Sequence, residues 1–138
     1  MLYFSLALLL LSTSLTAAAQ STQMEASLPN HIHADQLKSW YDQNKEMIVL
    51  DARSKKYFDG TLLPHAKWLS SEASEAEIQD TIPSKDSLVV VYCWGVSCPA
   101  SGWLYDKLIS LGYKNVYEYR EGLQEWITKG FPTTKQPI

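Results

Sequence analysis

Two uninterrupted apolar runs, Met47-Ile48-Val49-Leu50 and Leu88-Val89-Val90-Val91-Tyr92, constrain the fold of this chain more than any other feature. A strand that is apolar at every position has no face to give to water, so such runs belong in a parallel sheet covered on both sides. Around them the pattern shifts to the helical period. Ala34 to Gln43 carries Leu37, Trp40 and Tyr41 on one side, and Ser74 caps a helix with Glu75 and Glu77 in its first turn that Pro83 ends. Ala100, Leu104, Leu108 and Leu111 share one face of a helix that Pro99 opens and Gly112 stops. Ile32 is expected as a short first strand, Val116-Tyr117-Glu118-Tyr119 as a further strand, and Leu123 to Lys129 as a last helix. Leu62 to Leu69 reads as a loop entering a short strand. The alternation predicts an α/β single domain, its mostly parallel central sheet flanked by helices on both faces.

A chain of 138 residues with 46% hydrophobic and 20% charged side chains suits one soluble globular domain. Its net charge of −3 offers no basic surface, so neither nucleic acid nor an anionic bilayer is expected as a partner. The first nineteen residues contain no charged side chain, run apolar through Leu6-Ala7-Leu8-Leu9-Leu10-Leu11 and finish in Ala17-Ala18-Ala19. That is the layout of a cleaved export signal, here without the usual basic opening. A retained anchor is the competing reading, but the apolar run is shorter than the ~20 residues that cross a bilayer. The expectation is an exported protein, periplasmic or secreted. It has a signal peptide over 1–19, a flexible leader over 20–30 and one domain over 31–138, with no stable membrane insertion after cleavage.

The apolar run Leu88–Tyr92 stops at Cys93, and a helix begins a few residues later. A sulfur at a strand-to-helix turn faces free backbone N–H groups and a positive helix end, which favour its anionic form. The loop Trp94-Gly95-Val96-Ser97-Cys98 must complete the turn, with Gly95 expected to adopt positive φ so that successive amides form an anion-binding concavity. Cys93 is the candidate catalytic residue. The blander alternative is a small buried hydrophobe. Cys98 is either a resolving thiol that attacks an oxidised or persulfidated Cys93 or a residue packing the helix start. A disulfide between two cysteines this close would close only a short loop, so reactivity explains the pair better than stabilisation.

Two thiols at this spacing with no second ligand pair fall short of a structural zinc site, and neither a metal nor a cofactor is expected. Trp94 can wall a pocket or pack against the neighbouring helix. Asp51, at a strand end, is expected to cap the following turn, and Arg53 to pair with an acidic neighbour. Arg53 and Arg120 are the two arginines that could reach an anionic substrate, and His65 is a further candidate for the pocket.

Several segments together resemble the rhodanese-like domain. Leu50-Asp51-Ala52-Arg53 is similar to that family's Asp-x-Arg segment, Leu62-Leu63-Pro64-His65-Ala66 to its His-Ile-Pro-Gly-Ala loop, and Val91-Tyr92-Cys93 to the strand that delivers the active-site cysteine. Gly112-Tyr113-Lys114-Asn115-Val116 and Glu121-Gly122-Leu123-Gln124-Glu125-Trp126 resemble the closing Gly-Tyr-x-x-Val and Gly-Gly-x-x-x-Trp segments. The resemblance implies a persulfide mechanism. Cys93 would take a sulfane sulfur from a small donor anion or a persulfide and pass it to a thiol or cyanide-type acceptor, with the amides of Trp94 to Cys98 stabilising the anion. The chain departs from the family where Trp94, Gly95, Val96 and Ser97 carry no basic side chain, where Leu62 and His65 replace the usual His and Gly, and where Cys98 closes the loop.

Three functions follow as expectations: an exported sulfurtransferase using Cys93, a thiol-disulfide protein using Cys93 and Cys98, and a non-catalytic binding module on the same fold. Fold does not choose among them, because function lives in the site.

Overall fold

The computed structural model describes residues 30–138. The expected export segment and the leader as far as residue 29 lie outside the described residues. In chain order the elements are α1 (Ala34–Asp42), β1 (Ile48–Asp51), β2 (Thr61–Leu62), β3 (Lys67–Trp68), α2 (Glu75–Thr81), β4 (Leu88–Tyr92), α3 (Ala100–Ser110), β5 (Asn115–Tyr119), α4 (Gly122–Thr128) and β6 (Thr134–Lys135).

Strands β3, β1, β4 and β5 lie side by side in that order, all parallel. The two apolar runs are the centre of the sheet, with Val49 paired to Val90 and Asp51 to Tyr92. Side chains alternate across a strand. Val89, Val91 and Cys93 therefore enter one apolar cluster with Ile78 of α2 and Leu104 and Leu108 of α3. Val90 and Tyr92 enter the other, with Leu37 of α1 and Leu123 and Trp126 of α4. This two-sided burial is why neither run shows an alternating pattern.

The capping box of α2 is complete. The Ser74 hydroxyl accepts from the Glu77 N–H, and the Glu77 carboxylate accepts from the Ser74 N–H at 2.7 Å. Ile32 contributes less than the expected strand. One parallel bridge joins His31 to Glu118, with Ile32 N–H donating to the Glu118 carbonyl and Glu118 N–H to that of Asn30. The structure also adds a small antiparallel sheet, pairing Thr61 with Lys135 and Leu62 with Thr134, where a loop was expected.

A buried carboxyl, that of Glu118, sits near the carboxyl end of β5. Ser101 Oγ donates to Glu118 Oε1 at 2.8 Å, while Oε2 has no hydrogen bond among the described residues. His31 Nε2 approaches that oxygen to 3.4 Å without hydrogen-bonding geometry.

Candidate active site

The carboxyl ends of β1 and β4 bring Asp51 and Cys93 to the same edge of the sheet, where ligands bind in open parallel sheets. Asp51 accepts from the Arg53 N–H at 3.0 Å, closing the turn after β1 as expected. Its carboxylate also holds the Arg53 guanidinium: Nε is 3.1 Å from both oxygens and Nη2 is 2.8 Å from Oδ2. The remaining Arg53 donors go to the Tyr57 carbonyl, Asp59 Oδ1 and the Thr61 carbonyl. Burial alone would lower the pKa of this guanidinium. Hydrogen bonding and charge from Asp51, with Asp59, outweigh burial and hold it above the ordinary value. All five N–H groups are committed. Arg53 lines the cysteine cleft, but its donors are all spent within the protein, where they lock the loop after β1.

Tyr92, one residue before the loop, is fully buried, and its hydroxyl accepts from the Leu63 N–H at 3.1 Å. Burial pushes this phenol far above its ordinary pKa, so it stays protonated and serves structure.

Cys93 departs from the picture of a thiolate open to solvent. It is fully buried among Ala52, Val91, Ala100 and Leu104, and it is joined in a disulfide to Cys98, so the chain has no free cysteine. The strand alternation explains the direction, because Cys93 continues the face of Val89 and Val91. The two Cα atoms are 6.2 Å apart, inside the range a disulfide tolerates. Within the loop the Cys98 N–H donates to the Gly95 carbonyl at 2.9 Å. Among the described residues the amides of Trp94, Gly95, Val96 and Ser97 have no acceptor. Of the five amides expected to form the cradle, that of Cys98 is therefore already taken within the loop.

Gly95 does not adopt positive φ. Its lack of a side chain matters for packing instead, since a Cβ there would lie 3.0 Å from Gln124 Oε1. The glycine that needs the left-handed region is Gly122, at φ 65°. Through it the start of α4 approaches the loop backbone. Leu123 N–H donates to the Cys93 carbonyl at 3.0 Å and Gln124 N–H to that of Trp94 at 2.8 Å. The cysteine loop is thereby clamped by α4.

Outside the disulfide lies a cleft of about 700 Å³, lined by Cys98 but not by Cys93. Its walls include Tyr57, Trp94, Pro99 and Trp103, and its polar lining includes Ser97 and Glu72. Tyr57 and Trp103 are 66% and 61% exposed, well beyond ordinary core aromatics, and neither belongs to a motif that marks it in the sequence. For Trp103 a signal existed, since it falls off the Ala100, Leu104 and Leu108 face of α3. Trp94 takes the pocket-wall role, and Val96 is exposed beside it without lining the cleft.

The other expected residues lie apart. His65 has φ 57°, the left-handed conformation for which glycine is favoured, and it lines a separate cleft with Tyr41, Met47 and Trp126. Its expected place in the cysteine pocket is not found. Arg120 is exposed in the turn after β5, neither lining the cysteine cleft nor forming an ion pair among the described residues.

A family model described as the Rhodanese-like domain matches residues 33–129. Among the curated proteins none matches the chain. Solved structures share the fold. The BH2092 protein of Bacillus halodurans aligns with a TM-score of 0.69 at 20% identity, over 77% of each chain. The Alr3790 protein of Anabaena sp. aligns at 0.65 and 23% identity, over 75% of this chain and 80% of that one. A thiosulfate sulfurtransferase of Pseudomonas aeruginosa aligns at 0.67 and 18% identity, over 80% of this chain and 21% of its own, so this chain spans about a fifth of that protein.

Proposed function

This chain belongs to the rhodanese-like domain family, and on that premise we propose that it is a sulfurtransferase in which Cys93 carries a sulfane sulfur as a persulfide. The observation that carries the reading is the pair of cysteines in one loop at the carboxyl end of β4, where four loop amides have no acceptor among the described residues. Cys93 is buried in the disulfide form, so the reading requires that reduction frees the loop to bring its sulfur to the cleft, where the Cys93 thiolate attacks the outer sulfur of a donor R–S–SH. The donor's S–S bond breaks, RS⁻ leaves, and Cys93 holds S–SH. An acceptor thiolate then attacks that outer sulfur and departs as its own persulfide, returning Cys93 as the thiolate.

The cleft favours a persulfide over thiosulfate as donor. Its one cationic side chain, Arg53, has no N–H to spare, and Glu72 adds negative charge to the lining. A dianion meets no free cation there. The uncharged opening of the chain, residues 1–19, supports export to a compartment where such a disulfide persists.

The test is intact mass. Reduced Cys98→Ser protein, which has no second thiol to discharge the product, should gain one sulfur atom from a low-molecular-weight persulfide, and the double variant Cys93→Ser with Cys98→Ser should gain none. A Cys98→Ser chain that never takes up sulfur from any donor would exclude the transfer reading.

The disulfide itself favours a second reading, a thiol-disulfide protein that cycles between Cys93–Cys98 and the dithiol. Mass mapping after graded reduction and air oxidation tests it. Irreversible loss of the bond after one reduction would remove it.

A further inference from the structure

The two sulfurs of the disulfide are unequal. Cys93 is fully buried in the apolar cluster, whereas Cys98 is half-buried and lines the aromatic cleft. Thiol–disulfide exchange requires the incoming thiolate to reach one sulfur in line with the bond that breaks. We propose that Cys98 is the entry sulfur of this site: an uncharged, apolar thiol enters between Tyr57, Trp94 and Trp103, attacks Cys98 and expels Cys93 as a thiolate.

In that step RS⁻ forms a bond to the Cys98 sulfur as the Cys98–Cys93 bond breaks, and the electron pair stays on Cys93. The products are a mixed disulfide R–S–S–Cys98 and a Cys93 thiolate in the same turn as the unused amides of Trp94, Gly95, Val96 and Ser97. A second thiolate attacking the R sulfur releases R–S–S–R and leaves the dithiol. The atoms and electrons balance, with two thiols oxidised for one disulfide reduced.

The class of thiol follows from the walls. Three exposed aromatic rings and Pro99 present apolar surface around Cys98. Arg53 has no donor left for an anionic thiol, and Glu72 opposes one. An aromatic or aliphatic thiol without charge gains contact there that a charged one does not.

This inference rests on the reading that the cysteine loop carries the sulfur chemistry, and its test is separable from the loading test. Oxidised full chain is mixed with limiting phenylmethanethiol, quenched over a series of short times with an alkylating agent, and peptide-mapped. The first-formed adduct should carry the probe on Cys98 and the alkyl group on Cys93. The reverse assignment, or no opening by the probe, overturns the proposal. Trp103→Ala should lower the ratio of the opening rates by phenylmethanethiol and by mercaptoethanol several-fold; an unchanged ratio overturns the apolar preference. Sulfur loading with the probe on Cys93 sinks only this inference, while failure to load with the probe on Cys98 sinks only the transfer reading.

Discussion

Arg53 lies on the Asp51 carboxylate, both side chains being almost wholly excluded from water, and the pair joins the end of β1 to the loop that frames the cysteine cleft. Removing one partner of a buried pair leaves the other charge uncompensated. Arg53→Met should therefore destabilise the fold by about 3–5 kcal/mol, read as a lower urea midpoint. Arg53→Lys should recover little of this, because one ammonium cannot span Asp51, Asp59 and two carbonyls. A variant of unchanged stability with weaker donor binding would instead make Arg53 a substrate ligand.

Gly122 controls how closely α4 approaches the cysteine loop. A Cβ there would collide with the Cys93 carbonyl and lie 2.9 Å from the Trp94 carbonyl group, at a φ of 65°. Gly112 offers the matched control, with φ 87° and nothing within 4 Å of an added Cβ. Gly112→Ala should cost only the left-handed penalty, about 1–2 kcal/mol. Gly122→Ala should cost more than that and should slow disulfide closure, measured by denaturation and by thiol titration during air oxidation. Equal costs would mean that the clamp is not under steric control.

Much of this architecture is legible in the sequence, and the reasons differ by element. The apolar run Leu88–Tyr92 coincides with β4, because burial on both faces leaves an unbroken apolar signature. Ser74 and Glu77 announce α2 through local chemistry alone. The pairing of Thr61-Leu62 with Thr134-Lys135 has no such signature, since two-residue strands held by backbone bonds show no periodicity. Gly95 and Gly122 show the limit most clearly. Which glycine needs positive φ depends on the contact between α4 and the loop, and turn composition around Gly95 does not report it. Composition leaves His65 open between the pocket and an exposed loop, and packing decides for the loop: it follows Leu63 and Pro64 to the cleft beside α1. The spacing of Cys93 and Cys98 is plain in the sequence, but the burial that makes the two sulfurs unequal arises only from packing.

The carboxyl of Glu118 tests how the sheet tolerates an unpartnered polar atom. Ser101 satisfies Oε1, and Oε2 is buried without a hydrogen bond. Ser101→Ala should remove the one strong bond and cost about 1–3 kcal/mol. Glu118→Gln keeps an acceptor for Ser101 while replacing the unpartnered oxygen by an amide that can donate towards His31, so it should not lower the urea midpoint. A large loss in the Gln variant would show that the carboxyl is held by contacts to its charge.

Acid stability should carry the imprint of the α2 cap. The Ser74 backbone N–H, then its hydroxyl, hold the Glu77 carboxyl below its ordinary value of 4.5. A group whose pKa is lowered by folding stabilises the native state above the unfolded value and loses that contribution as pH falls through the folded one. Glu77→Gln keeps the bond to the cap but removes the titration. The wild type should melt above this variant near neutral pH, and the gap should shrink as pH falls below 4.5. A gap that stays constant with pH would assign the difference to packing.

On the proposed transfer, the closeness of Cys98 to Cys93 would determine the fate of a persulfide on Cys93. With Cα atoms 6.2 Å apart, a Cys98 thiolate is within bonding reach of the inner sulfur of Cys93–S–SH. Attack there forms the Cys93–Cys98 bond, breaks the bond to the outer sulfur and releases HS⁻, restoring the disulfide seen in the structure. Reduced wild type loaded with one sulfur should therefore release one hydrosulfide per chain without any added acceptor and lose its free thiols as it does so. Cys98→Ser has no thiol for that attack and should keep the persulfide until an external thiol removes it. Hydrosulfide trapping and intact mass, followed together over time, check both halves. Equal persulfide lifetimes in the two proteins would show that Cys98 does not reach the loaded sulfur and that the disulfide forms by another route.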